Sequence, residues 1–94
     1  MIVRGTASGL ADLESIEDYL RREWPKARAP FEARLTAIEQ RIVMFPLSAP
    51  RIQQRPEVLV VAFVEFPYRL FYRIEGDSID ILAVRHTSRR STHE

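Results

Sequence analysis

The fold is decided by the stretch FPYRLFYRIEGDSIDILAVRH, residues 66–86. Two runs rich in aromatic and β-branched residues, 68–75 and 78–85, flank the pair Gly76-Asp77. Gly adopts the positive φ that a tight turn requires, and Asp tolerates it and can hydrogen-bond its own backbone. The stretch therefore predicts a β-hairpin that turns at Gly76-Asp77.

Side chains alternate between the two faces of each predicted strand. One face is apolar throughout and carries Leu70, Tyr72, Ile74, Ile79, Ile81 and Ala83. The other face is mixed, and carries Phe71, Leu82 and Val84 among Arg69, Arg73, Asp80 and His86. A fully solvated face would not hold three large apolar residues. The pattern predicts that the mixed face is half-buried or contacts a partner.

Two amphipathic helices are predicted before the hairpin. The first has Ser8 as its N-cap and ends before Pro25, and its stripe at spacings of three and four is Leu10, Leu13, Ile16, Tyr19 and Leu20. The second begins at Pro25 or, with less strain, at Pro30, and ends before Pro46. Its stripe is Phe31, Leu35, Ile38, Ile42 and Phe45, of which Leu35 and Ile38 are expected to be buried.

The remaining segments complete a small sheet. Residues 1–4 predict a brief strand, 47–56 an irregular stretch, and 58–66 a strand buried on both faces. The order is β-α-α-β-β-β. It predicts an α+β fold in which a helical hairpin packs on a small, mainly antiparallel sheet.

Length and composition bound the function. The 94 residues predict one domain, with residues 88–94 as a flexible tail. No apolar run approaches the length of a membrane span, no signal peptide is evident, and the absence of cysteine fits a reducing compartment. The net charge of +1 argues against general nucleic-acid binding, although thirteen of the fourteen basic residues are Arg. Arg forms bidentate contacts with carboxylate or phosphate that Lys cannot form.

Three strings carry a family resemblance: DLESIEDYL at residues 12–20, FPLS at 45–48 and FPYRLFYRIEGDSIDILAVRHTSR at 66–89. Together they resemble the RelE/ParE superfamily of toxins from type II toxin–antitoxin systems, and the last string resembles the ParE branch most closely. The resemblance implies a cytoplasmic toxin without a cofactor, neutralised by a ParD-like antitoxin in a hetero-oligomer. The ParE branch is associated with DNA gyrase, and the RelE branch with ribosome-dependent cleavage of mRNA.

RNA cleavage without a metal requires a base for the 2′-OH, cations for the phosphorane charge and an acid for the leaving oxygen. RelE-like nucleases resemble one another in using sheet lysines and arginines with a C-terminal Tyr or His. Only Arg69 matches that pattern well, because the sheet has no Lys and His93 stands where the Tyr would be. The nuclease candidates are Arg69, Arg73, His86 and His93. For His86, a core-closing role at the strand end competes with catalysis and is favoured, and Tyr72 is interpreted as a core residue.

Three functions remain open: a toxin that docks on gyrase without chemistry, a ribonuclease, and an interaction domain without toxicity. The incomplete acid–base set favours the docking toxin. The expected target-binding residues are Arg69, Arg73, Arg85, Arg89 and Arg90. The expected antitoxin-binding residues are Leu13, Ile16, Tyr19, Phe71, Leu82 and Val84. The sequence predicts no metal site, because its two histidines are not near clustered carboxylates.

Overall fold

The computed structural model describes residues 1–87, and the predicted tail 88–94 lies outside them. Two α-helices pack on a five-stranded sheet, which confirms the α+β fold. In chain order the elements are β1 (Ile2–Gly5), α1 (Ala7–Glu23), a 3₁₀ turn (Pro25–Ala27), α2 (Arg28–Met44), β2 (Arg51–Ile52), β3 (Arg55–Ala62), β4 (Tyr68–Glu75) and β5 (Ser78–His86). No helix among these is long and apolar enough to cross a membrane.

The sheet order is β1-β5-β4-β3-β2. The helical hairpin carries the chain from β1 at one edge to β2 at the other, so β1 runs parallel to β5 while the remaining pairs are antiparallel. The predicted hairpin is confirmed: Glu75 pairs with Ser78, and Gly76 has φ +57° at the first of the two turn positions. No Cβ contact would hinder a side chain at Gly76, so the positive φ alone favours Gly there.

A β-bulge divides β5. Phe71 lies opposite Ala83 and Tyr72 opposite Ile81, so Leu82 is an additional residue with no register partner. A one-residue shift of this kind reverses the facing of every later side chain in the strand. We call the face of the sheet that packs against the helices the inner face, and the opposite face the outer face. Before Leu82 the odd-numbered residues of β5 lie on the inner face, and after it the even-numbered residues do.

Two sequence predictions are wrong because of this bulge. Val84 pairs with Leu70 and His86 with Tyr68, so both lie on the inner face and not on the mixed face. Ala83, predicted on the apolar face, is on the outer face instead. The outer face of β4 and β5 therefore carries Arg69, Phe71, Arg73, Glu75, Ser78, Asp80, Ala83 and Arg85.

Aromatic rings dominate the core between the helices and the inner face. Phe31 of α2 is fully buried, stacks on Phe63 with ring centroids 4.9 Å apart, and meets the rings of Phe66 and Tyr68 edge-on. Further fully buried side chains are Ile42, Leu59, Leu70, Tyr72 and Ile79. The Tyr72 hydroxyl donates to the Pro46 carbonyl at 2.6 Å, which confirms Tyr72 as a core residue.

The expectation that Leu35 and Ile38 are buried is wrong. Both pack against the core but remain half-exposed. A layer of only two helices leaves the flanks of each helix open to water. On α2 only Phe31 and Ile42 are buried, and they lie near the two ends of the helix.

The predicted start of α1 is also wrong, because Thr6 and not Ser8 is the N-cap. The Thr6 hydroxyl accepts from the Gly9 N–H at 3.0 Å, and it also donates to the Ile81 carbonyl at 2.8 Å. One side chain therefore both ends the β1–β5 pairing and starts the helix. Of the two predicted starts of α2, Pro25 opens the 3₁₀ turn, and Pro30 falls in the first turn of α2, where its missing N–H needs no partner.

The expectation of a strand buried on both faces is wrong for residues 58–66. Strand β3 ends at Ala62, and within it only Val58 and Leu59 are buried. The physical reason is that helices cover one face of the sheet alone, so the outer face of β3 is partly solvated. The segment 47–56, predicted as irregular, contributes the short strand β2 at the sheet edge.

Candidate functional site

A groove of about 550 Å³ lies between α1 and the second half of β5. It exists because β1 ends at Gly5, opposite Ile81, so from Leu82 onward β5 is paired with β4 on one side and has no strand on the other. At this point the chain enters α1, and the helix runs along the edge of β5 that β1 leaves unpaired. The groove is lined by Asp12, Ser15, Ile16, Tyr19, Tyr68, Val84, Arg85 and His86.

Close backbone contact seats α1 against β5. A Cβ on Gly9 would lie 2.3 Å from the Ile81 carbonyl oxygen, so only Gly permits this approach. One turn later the Asp12 carboxylate accepts from the Val84 N–H at 3.0 Å, and its Oδ2 lies 3.8 Å from Arg85 Nε. The Asp12 side chain thereby satisfies a strand N–H that a neighbouring β-strand would otherwise bind.

The groove has an apolar floor and a polar rim. Ile16 and Val84 are buried at its base, whereas Ser15 and Arg85 at the rim are exposed. His86 stands half-buried at one end, with its ring edge-on to Tyr68 at a centroid distance of 5.3 Å. This surface suits a peptide that buries apolar side chains and leaves its polar groups at the rim.

The outer face of the sheet forms a second candidate surface. Arg69 and Arg85 lie directly opposite each other on β4 and β5. Beside them runs a half-buried apolar strip in which Phe71 has Ala83 on one side and Val60 on the other. We call Val60, Phe71 and Ala83 the outer strip.

A charged network closes the far end of the outer face. The Asp80 carboxylate accepts from Arg4 Nε at 3.2 Å and from the Ser78 hydroxyl at 3.1 Å, with Arg73 Nη2 at 4.0 Å. Burial alone would raise the pKa of Asp80, but these hydrogen bonds and the charges of Arg4 and Arg73 outweigh it and lower the pKa. Arg73 also lies 3.3 Å from Glu75, so its guanidinium is engaged with neighbouring carboxylates.

Family comparison agrees with this architecture. Residues 3–91 match the family described as the ParE toxin of the type II toxin-antitoxin system, parDE. The chain belongs to the ParE toxin family. A solved chain of the chromosomal ParDE TA system from P. aeruginosa superposes with a TM-score of 0.73 at 22% identity, covering 92% of this chain and 95% of that one. Likeness at that identity establishes the shared fold, and a search of curated proteins gave no significant match.

The expected antitoxin-binding residues of this ParE-family chain divide between the two surfaces. Leu13, Ile16, Tyr19 and Val84 lie on the groove side, of which Leu13 is half-buried against the core and only the other three line the groove. Phe71 lies on the outer face and Leu82 at the bulge. These six residues therefore do not form one continuous surface.

The nuclease candidates of this family member are not brought together either. Arg69 and Arg73 occupy the outer face, while His86 lies on the inner face. His93, Arg89 and Arg90 lie outside the described residues. Within residues 1–87, no group of three or more His, Asp or Glu side chains is placed to hold a metal ion.

Sequence reasoning missed Asp12, Ser15 and Tyr68 as groove residues. The Asp12–Val84 hydrogen bond joins residues 72 positions apart, so no local pattern announces it. From the sequence, Asp12 is only a favourable charge near a helix N-terminus. The signal that could have found it is the short length of β1, which leaves the later part of β5 without a strand on the side away from β4.

Proposed function

We propose that this ParE-family chain is a cytoplasmic toxin that docks on DNA gyrase without chemistry of its own, and that a cognate antitoxin neutralises it. The family match over residues 3–91 supports the toxin role. The alternative is a RelE-like ribonuclease, which needs a general base near the cations that hold the phosphate.

One observation carries the choice between the two. The bulge at Leu82 places His86 on the inner face, against Tyr68, whereas Arg69 and Arg73 lie on the outer face. A base must come within hydrogen-bonding distance of the 2′-OH next to the clamped phosphate. The sheet itself stands between His86 and these arginines, which supports a docking function over RNA cleavage.

The groove supports the antitoxin part of the proposal. Its apolar floor at Ile16 and Val84 and the open strand edge beside them suit an extended or helical peptide. The similar solved chain comes from a ParDE system, which by its description pairs toxin with antitoxin. We expect the neighbouring antitoxin to fill this groove in a hetero-oligomer.

Expression of the wild-type chain tests the target. We expect growth arrest with a DNA damage response, inhibition of purified gyrase in a supercoiling assay, and intact mRNA. Co-expression of the antitoxin should restore growth. Translation arrest with cleaved mRNA and unaffected gyrase would contradict the docking mechanism.

The double variant His86→Ala/His93→Ala separates docking from catalysis. Removal of a general base typically costs about 10²–10⁴ in rate, so a nuclease would lose its toxicity. We expect toxicity to remain, measured as growth arrest at matched expression. Retained antitoxin binding is the control for folding. Lost toxicity with antitoxin binding intact would favour the ribonuclease.

A further inference from the structure

Arg69 and Arg85 form an opposed pair of like charges. They are direct cross-strand neighbours on the outer face, where Cβ atoms are typically about 4.5–5.5 Å apart, and like charges in this position destabilise a sheet. Arg85 forms an ion pair with Asp12 at the β5 edge, with 3.8 Å between Arg85 Nε and Asp12 Oδ2. Arg69 forms no ion pair with any residue in 1–87. Within residues 1–87, the charge of Arg69 is therefore not compensated.

The outer strip lies immediately beside the pair. Phe71 is two residues from Arg69 on the same face, and Val60 and Ala83 flank it on the neighbouring strands. All three are half-buried although no helix covers this face. The surface therefore offers the guanidinium of Arg69, and at the β5 edge that of Arg85, next to a small apolar seat.

We propose that Arg69 and Arg85 clamp a carboxylate of the antitoxin, with an apolar side chain of the same antitoxin segment seated on the outer strip. The inference rests on the proposed function in that it takes the antitoxin as the partner. Two guanidiniums can each donate to a carboxylate oxygen, and such charge-assisted bonds are among the strong hydrogen bonds of proteins. The bound carboxylate would also relieve the repulsion between the two arginines.

The surroundings favour a carboxylate of a protein over a nucleic-acid phosphate. A phosphate backbone needs a run of cations, whereas at the far end of the same face Arg4 and Arg73 are neutralised by Asp80 and Glu75. The apolar strip beside the arginines suits a side chain of a peptide. In this proposal the antitoxin segment that carries the carboxylate covers the outer face as well as the groove, which extends the contact around the β5 edge.

The variant Arg69→Glu tests both the repulsion between the two arginines and the contact with the antitoxin. It turns a like-charged cross-strand pair into an opposite-charged one, so the free chain should melt at a higher temperature. The same change should weaken antitoxin binding by at least about tenfold, as expected for a central arginine of an interface. Calorimetric titration of the purified antitoxin into each variant, at low and high salt, measures the affinity.

Arg22→Glu is the matched control, because it makes the same charge change at an exposed position on α1. Its antitoxin affinity should stay within about twofold of wild type. Wild-type affinity in Arg69→Glu, or a lower melting temperature in that variant, would overturn the clamp. The clamp would also be overturned if Arg69→Glu lost affinity for a double-stranded DNA oligonucleotide and kept its affinity for antitoxin. If the wild-type chain itself fails to bind antitoxin, the proposed function fails first.

Discussion

Asp80 shows how one residue fixes a charge at the sheet surface. Its side chain is largely shielded from water on the outer face, yet it stays ionised because Arg4, Ser78 and Arg73 surround it. The pairing of Asp80 with Arg4 also ties the edge strand β1 to β5. The lowered pKa of this carboxylate makes its contribution to stability depend on pH.

We predict that Asp80→Asn makes the acid limb of the stability curve shallower. The folded-state pKa of Asp80 lies below the unfolded value of about 3.9, so its contribution is complete above that pH and is lost as the pH falls through the folded-state pKa. Melting temperatures across the acid range and up to neutral pH measure this. The substitution should lower the melting temperature at neutral pH, and the difference from wild type should narrow in acid. Parallel curves would contradict the assignment.

At the residue scale, the sequence allowed the prediction of contacts near the turn and not of those far along the chain. The predicted hairpin already brings Arg73 opposite Asp80, because a two-residue turn sets the register of residues this close to it. Arg4 is 76 positions from Asp80, and the ion pair depends on the parallel placement of β1 beside β5. Periodicity contains no information about that placement.

At the scale of elements, the contact of α1 with β5 depends on one glycine. Gly9 is buried at the start of α1, where the helix backbone meets the Ile81 carbonyl. The contact positions Asp12 against the Val84 N–H and so defines one wall of the groove. The separation of helix and strand here is set by the absence of a side chain.

We predict that Gly9→Ala destabilises the fold although Ala is the better helix former. The added Cβ would approach the Ile81 carbonyl oxygen to 2.3 Å, so α1 must move outward, at a typical overpacking cost of about 1–3 kcal/mol. Urea unfolding measures the loss. Ser8→Ala, at an exposed neighbouring position of the same helix, is the control and should be close to neutral. Equal stabilities of the two variants would contradict the close approach.

Element types were predictable from the sequence, and their facing was not. The helices and the hairpin follow from apolar spacing and from the Gly76-Asp77 turn. The bulge could not be predicted, because Ile81, Leu82 and Val84 are all apolar and fit the inner face whether or not β5 has an additional residue. The Thr6 hydrogen bond to Ile81 and the Asp12 hydrogen bond to Val84 flank the bulge, and both join distant segments.

At the scale of the whole molecule, a small aromatic core joins the helix layer to the sheet. Phe31 links α2 to Phe63, Phe66 and Tyr68, near the end of the sheet where β3 passes into β4. Trp24 extends the cluster through Phe66, at a centroid distance of 6.5 Å. A domain of this size has a small core, so each large buried side chain contributes a large share of its stability.

We predict that Phe31→Ala costs about 3–5 kcal/mol, a large fraction of the roughly 5–15 kcal/mol that stabilises an ordinary domain. Leu35→Ala, one turn along the same helix, should cost less because Leu35 is half-exposed. Chemical unfolding followed by circular dichroism compares the two. A larger loss at Leu35 would show that α2 presents a different side to the sheet.

Because Leu82 is an additional residue in β5, the number of residues after the turn does not by itself decide which way the later side chains face. Which side of the sheet receives Arg85 and His86 depends on whether the strand bulges, and not on what those two residues are. Deletion of Leu82 would remove the bulge and leave Arg85 opposite Arg69 and His86 opposite Tyr68. A relative that carries the same residues in a regular strand without the bulge would present the counterpart of His86 outward, on the side of the strand arginine. Comparisons among these toxins should therefore establish where each strand bulges before they equate side chains.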